Sequence, residues 1–214
     1  SMTGVAHALP CGLIQFSNNL PLLLIVTAGV AFVLGMGTTP IAVYVFLAVT
    51  LAPALVQLGL NELSVHLFLL YCGVLSFITP PVCIAVYPAA AIAGSDTMKT
   101  GVAATRLGLV SFIIPFFFVL NPALLLQGSP LEILQVVSTA FVGIFLLASS
   151  IENYLWGVGQ LGTGVIGYLA RFGVFATGFL LAFPNLWTDC VGLLIGVLIM
   201  MLILIQKRRR VERP

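Results

Sequence analysis

The chain has 214 residues, of which 61% are hydrophobic and only 7% charged, with a formal net charge of +2. Soluble domains carry about 25% charged and about 45–50% apolar residues. These values exclude a free soluble enzyme and a disordered chain, and leave a polytopic helical membrane protein. Nucleic-acid binding is excluded too: the positive excess comes mainly from one terminal cluster, Lys207–Arg210, with no basic groove interleaved with aromatics.

Backbone chemistry narrows the class. In hydrocarbon every N–H and C=O must be paired within the protein, so only helices or closed barrels span. Barrel strands would alternate in polarity over about ten residues. Here Val102–Leu120 and Val191–Ile205 are unbroken apolar runs, so the expected fold is an all-α polytopic membrane protein.

In chain order, Ser1–Asn19 reads as the end of a preceding segment or an interfacial lead-in. Leu20–Leu34 is apolar but short, about 22 Å against a hydrocarbon core of about 30 Å. It ends at Gly35-Met36-Gly37-Thr38-Thr39-Pro40, and a second apolar helix, Ile41–Leu58, follows with Pro53 inside it. Two helices joined by a Gly/Thr/Pro tip predict a re-entrant hairpin over 20–58. The stretch 61–93 is interrupted at Ile78-Thr79-Pro80-Pro81. Each proline lacks an N–H and disfavours helix in the residue before it. The stretch therefore predicts one discontinuous transmembrane helix.

Gly94–Gly101 reads as a polar loop, and Val102–Leu126 as a long helix kinked near Pro115 and Asn121-Pro122. The segment 131–205 reads as a three-helix extension: Leu131–Ser149, Val165–Phe183 and Leu186–Ile205. With Val102–Leu126 that makes four further spans. Ser150–Gly164 is a glycine-rich loop or interfacial stretch, and 206–214 is a basic tail. The Lys207–Arg210 cluster predicts a cytoplasmic C-terminus, and Lys99 and Arg106 then fall on the same side.

The chemistry gathers at the two breaks. Unpaired backbone at membrane depth persists only where protein, water or a ligand satisfies it. Secondary transporters use such breaks: freed carbonyls coordinate sodium, and half-helix N-termini face anionic substrate groups. The candidate cation ligands are Gly35, Gly37, Thr38, Thr39, Ser76, Thr79 and Pro80, the glycines for close backbone approach and the threonines for hydroxyl oxygens. The alternative is that the breaks merely turn the chain. Thr105 lies outside both in sequence.

His66 is an ionisable residue in an apolar segment, either functional or a hydrogen-bonded packing residue. Arg106 and Arg171 read as snorkelling residues, and Glu132 and Asp189 as interfacial. Cys11, Cys72, Cys83 and Cys190 are scattered through apolar stretches and read as buried small hydrophobes. No catalytic constellation, transition-metal site or organic cofactor is expected.

Three stretches resemble a known family: GMGTTPIAVYVFLAVTLAPALVQLG, HLFLLYCGVLSFITPPVCIAVYPAAAIAG and RLGLVSFIIPFFFVLNPALLLQG. They are similar to the C-terminal half of the large (DctM-type) permease subunit of tripartite ATP-independent periplasmic transporters. The nearest form is the fused-permease branch that works with TAXI-type binding proteins. The family pattern, roughly GMGLPTTAAY, corresponds here to Gly35 through Tyr44, with the proline and threonines in a different order. The TPP motif stands as Thr79-Pro80-Pro81.

The resemblance implies one half of an inverted-repeat elevator transporter in a bacterial or archaeal cytoplasmic membrane. It implies sodium as coupling ion, organic acid anions (carboxylates) as substrate, and Thr38, Thr39 and Thr79 in a cation site. Tyr44 and His66 are then candidate substrate contacts. The implied partners are a periplasmic substrate-binding protein, the N-terminal half of the permease, a small membrane subunit or its fused equivalent, and lipid. The competing readings are a non-transporting membrane scaffold and an intramembrane enzyme; for the latter the sequence holds no paired acids, His/Glu ligand set or Ser/Lys dyad.

Overall fold

A computed structural model describes residues 19–156, 159–161, 165–183 and 185–211. The chain divides after Leu125 into two compact units.

In the first unit, α1 (Leu20–Gly35), α2 (Pro40–Thr50), α3 (Ala52–Gln57) and α4 (Glu62–Leu75) come first. A 3-10 turn (Ser76–Ile78) follows, then α5 (Val86–Ala93), α6 (Thr97–Leu107) and α7 (Leu109–Leu120). The starts have local causes. The Thr39 side chain accepts from the Ala42 N–H at 3.3 Å, and Pro40 supplies a first helical residue that needs no N–H partner. Asn61 accepts from the Ser64 N–H at 3.1 Å and Asp96 from the Lys99 N–H at 3.0 Å. Gly94 ends α5 in the left-handed conformation, φ +60°.

Several boundaries differ from expectation. Pro53 has no N–H to give its preceding turn, so Ile41–Leu58 splits into α2 and α3 at Leu51. The Asp96 cap starts α6 at Thr97, inside the expected polar loop. The helix expected over Val102–Leu126 bends by 44° at Gly108 and ends at Leu120. After the double proline, helix resumes only at Val86.

The core of this unit is apolar: Leu23, Leu24, Leu47, Leu51, Val65, Phe68 and Leu69 are almost wholly buried. Phe68 meets Phe116 edge-on at 5.2 Å, and Tyr71 meets Phe118 at 5.6 Å, which joins α4 to α7.

The second unit has α8 (Pro130–Ile151), a short antiparallel hairpin of β1 (Tyr154–Leu155) and β2 (Gly159–Gln160), α9 (Val165–Ala182) and α10 (Leu186–Val211). The hairpin lies in the stretch expected to be loop. Helices α8 and α9 cross with their backbones close: a Cβ at Gly143 would lie 2.7 Å from the Gly178 carbonyl oxygen, and one at Gly178 2.8 Å from that of Gly143. Small residues at a crossing are how helices approach where burial in lipid supplies no driving force.

Among the described residues one helix, Pro130–Ile151, is long and apolar enough by itself to cross a membrane. The bent pair α6–α7 passes the same criterion as one span, and the other apolar stretches found among the described residues, Gly167–Ala182 and Trp187–Leu202 included, are shorter. Much apolar surface faces outward: Ile41, Val49, Ile92, Leu131, Phe141 and Phe172 are all more than two-thirds exposed. A water-soluble monomer rarely shows so much.

Three side chains of the second unit depart from the sequence reading or add to it. Asp189, expected at an interface, is buried, with Oδ2 accepting from Gln135 Nε2 at 3.3 Å. Arg171, expected to snorkel, also closes the end of α8, with Nε 3.3 Å from the Ser150 carbonyl oxygen. Ser150 returns a hydroxyl bond of 2.8 Å to the Arg171 carbonyl. Cys190 is exposed, whereas Cys72 and Cys83 are buried; Cys11 lies outside the described residues. The lead-in Ser1–Asn19 lies there too, apart from Asn19, as do the side chains of the basic tail.

Candidate functional site

The two breaks meet. Gly35, the last residue of α1, packs so closely on the end of α4 that a Cβ there would collide with Ser76 Oγ and lie 2.9 Å from the Gly73 carbonyl oxygen. Gly73 is pressed from the other side: its Cβ would lie 3.0 Å from Val43 Cγ1 of α2. Three elements thus converge on Gly73–Ser76, and glycine is what permits it. Gly37 is different. Nothing lies within 4 Å of a Cβ built on it, so its expected role in close approach is not what the packing uses.

The hydroxyls have defined partners. Ser76 Oγ donates to the Gly73 carbonyl at 2.7 Å and is buried. Thr79 Oγ1 donates to the Leu75 carbonyl at 2.9 Å, and Thr38 Oγ1 to that of Leu34 at 3.4 Å. Thr39 Oγ1 accepts from the Ala42 N–H. A donating hydroxyl keeps oxygen lone pairs open for a cation.

The second break pairs part of its own backbone. The Thr79 N–H bonds Ser76 O at 3.3 Å, the Cys83 N–H bonds Thr79 O at 3.1 Å, and the Ala85 N–H bonds Phe77 O at 3.1 Å. The Pro80–Pro81 peptide is cis, and Cys83 has φ +34°. At the first tip, among the described residues, no backbone N–H bonds the carbonyls of Gly35, Met36, Gly37 or Thr38. At the second break, among the described residues, no backbone N–H bonds the carbonyls of Ile78, Pro80, Pro81 or Val82 either, so both breaks hold open oxygens. Pro80 itself touches α6: its Cγ would lie 3.2 Å from a Cβ at Gly101.

Tyr44 and His66 form a pair. The Tyr44 hydroxyl lies 3.1 Å from His66 Nδ1, the rings are 6.0 Å apart, and both residues are half-buried. The pair ties α2 to α4. A cavity of about 310 Å³ lies between α1, α4 and α7, lined by Gly29, Phe32, Cys72, Leu75, Phe112 and Phe116. Its lining carries no charge, so it offers nothing specific to an anion. Thr105 is the residue the sequence reading missed: its hydroxyl lies 3.2 Å from the Ile78 carbonyl oxygen, at the second break.

A helical chain with this much outward apolar surface, broken where Gly/Thr and Thr/Pro segments meet, is a membrane protein with the features of a transporter subunit. Residues 1–133 match the family model of the tripartite ATP-independent periplasmic transporter, DctM component. The chain belongs to that family, whose members are membrane permease components of transporters and not enzymes. No curated protein and no solved structure matches the chain.

Proposed function

We propose that this chain supplies one inverted repeat of an elevator-type permease that takes up organic acid anions, carboxylates above all, with sodium as the coupling ion. The contact of Gly35 with Gly73 and Ser76 carries this reading, because it brings two oxygen-rich breaks to one place. Two breaks meeting inside one helical unit are the arrangement that secondary transporters use for ion sites. The tip carbonyls of residues 35–38 with the oxygens of Thr38, Thr39, Ser76 and Thr79 form the cation site, and Tyr44 with His66 borders the substrate. A periplasmic binding protein of the TAXI type delivers the anion. An N-terminal repeat and a small membrane subunit, or its fused equivalent, complete the permease. The test is uptake into proteoliposomes holding the full-length permease and its binding protein. An inward sodium gradient is expected to raise uptake at least tenfold over a choline gradient. Uptake indifferent to sodium would contradict the coupling.

The permease sits in the cytoplasmic membrane with its C-terminus inside, 20–58 dipping from the outer face and 61–93 crossing as one broken span. Lys99, Arg106 and the Lys207–Arg210 cluster then share the cytoplasmic side. A reporter active only in the cytoplasm is expected to work when fused after Arg210 and to fail after Gln127. The opposite pattern reverses this orientation.

A further inference from the structure

Helix α6 meets the second break along one face. Gly101, Thr105 and Gly108 recur at intervals of four and three, so they share that face. A Cβ at Gly101 would lie 3.0 Å from Cys83 Sγ, and one at Gly108 2.8 Å from Ile78 Cδ1. The two glycines let this face lie against residues 78–83 more closely than larger residues allow. Between them the Thr105 hydroxyl has two acceptors: the Ile78 carbonyl at 3.2 Å and the Gly101 carbonyl at 2.9 Å. A hydroxyl carries one proton, so it cannot serve both fully. The Gly101 carbonyl sits one turn back in the same helix, on the ordinary backbone ladder. The Ile78 carbonyl belongs to the break, and among the described residues no backbone N–H bonds it.

We propose that Thr105 is a positioning residue whose hydroxyl acts as a releasable latch, holding the Ile78 carbonyl, and with it the aim of the Thr79–Pro81 segment, against α6. On release the proton falls back on Gly101, so the donor never goes unpaired and only the Ile78 carbonyl is freed. An unpaired buried donor would make release expensive; this fallback removes that cost. The break can then move between two arrangements while α6 stays intact. The consequence for sodium rests on the function proposed above, whereas the latch itself does not.

The test is amide hydrogen exchange on the full-length permease, with Thr105→Val, Thr105→Ser and Thr50→Val. Thr50 donates to the Phe46 carbonyl within its own helix, so its loss touches no other element. In Thr105→Val the Cys83 and Ala85 amides are expected to exchange about three- to tenfold faster, in line with one lost hydrogen bond. The Leu69 and Cys72 amides of α4 are expected to stay as in the wild type, and Thr105→Ser and Thr50→Val to change neither set. The sodium concentration for half-maximal uptake is expected to rise about threefold or more in Thr105→Val only. Unchanged exchange at the break, or a rise shared equally by α4, overturns the latch. Faster exchange at the break with an unaltered sodium requirement upholds the latch and overturns its link to the cation. Sodium-independent uptake in the wild type overturns the coupling and leaves the exchange rates to decide the latch.

Discussion

Gly35→Ala is expected to destabilise the permease by about 2–6 kcal/mol and to abolish most uptake. The added methyl has nowhere to go. It would strike Ser76 Oγ, which is buried and bonded to Gly73 O at 2.7 Å, and would lie 2.9 Å from that carbonyl itself. A carbonyl in a packed helix cannot swing aside as a side-chain tip can. Overpacking of this kind costs about 1–3 kcal/mol, and a displaced, unpaired Ser76 hydroxyl adds about 1–3 kcal/mol more. The alternative is that α1 withdraws from α4, which separates the two breaks. Gly29 in the same helix is the internal control. Nothing lies within 4 Å of its Cβ, so Gly29→Ala removes a mid-helix glycine and is expected to be neutral or stabilising by about 0.5–1 kcal/mol. Thermal unfolding in detergent, followed by monodispersity, separates the two. A Gly35→Ala protein that melts with the wild type would mean that α1 and α4 are not packed as described.

What was legible in the sequence was what a single residue's chemistry decides. Proline cannot donate and glycine permits close approach, so both breaks were placed by composition alone. The α6 start was not read, because the polar run Gly94–Gly101 hid the Asp96 cap. The bend at Gly108 was not, since a lone glycine in an apolar run is compatible with straight helix. Contacts between distant segments were beyond reach. Thr105 meets Ile78 across 27 residues, Asp189 meets Gln135 across 54, and Arg171 meets Ser150 across 21. Each depends on which helix faces crossed, a fact no local pattern holds. The same holds for Gly37 and Gly35: two glycines in one tip look alike in sequence, and only packing separates the crowded one from the open one.

That packing changes how the cation site should be probed. Thr79→Val conserves volume and deletes one oxygen, and it is expected to raise the sodium concentration for half-maximal uptake by roughly ten- to a hundredfold. This corresponds to about 1.5–3 kcal/mol for a ligand lost to a charged group. Its bond to the Leu75 carbonyl is lost too, but that bond is neutral and local, so folding should change by no more than about 0.5–1.5 kcal/mol. Thr39→Val is a poor partner experiment, because Thr39 Oγ1 also caps α2 and its loss costs about 0.5–2 kcal/mol of helix stability. Thr39→Ser keeps both oxygen and cap and should transport as the wild type. Thr105→Val no longer serves as the neutral control that its sequence position suggests, since its hydroxyl reaches the break. Thr50→Val replaces it, with a hydroxyl bonded only to its own helix. Sodium titrations of uptake should therefore rank Thr79→Val far from Thr50→Val and Thr39→Ser. If Thr79→Val titrates with these two, the Thr79 hydroxyl contributes no oxygen to the ion, and the ligands must come from the remaining oxygens of the two breaks.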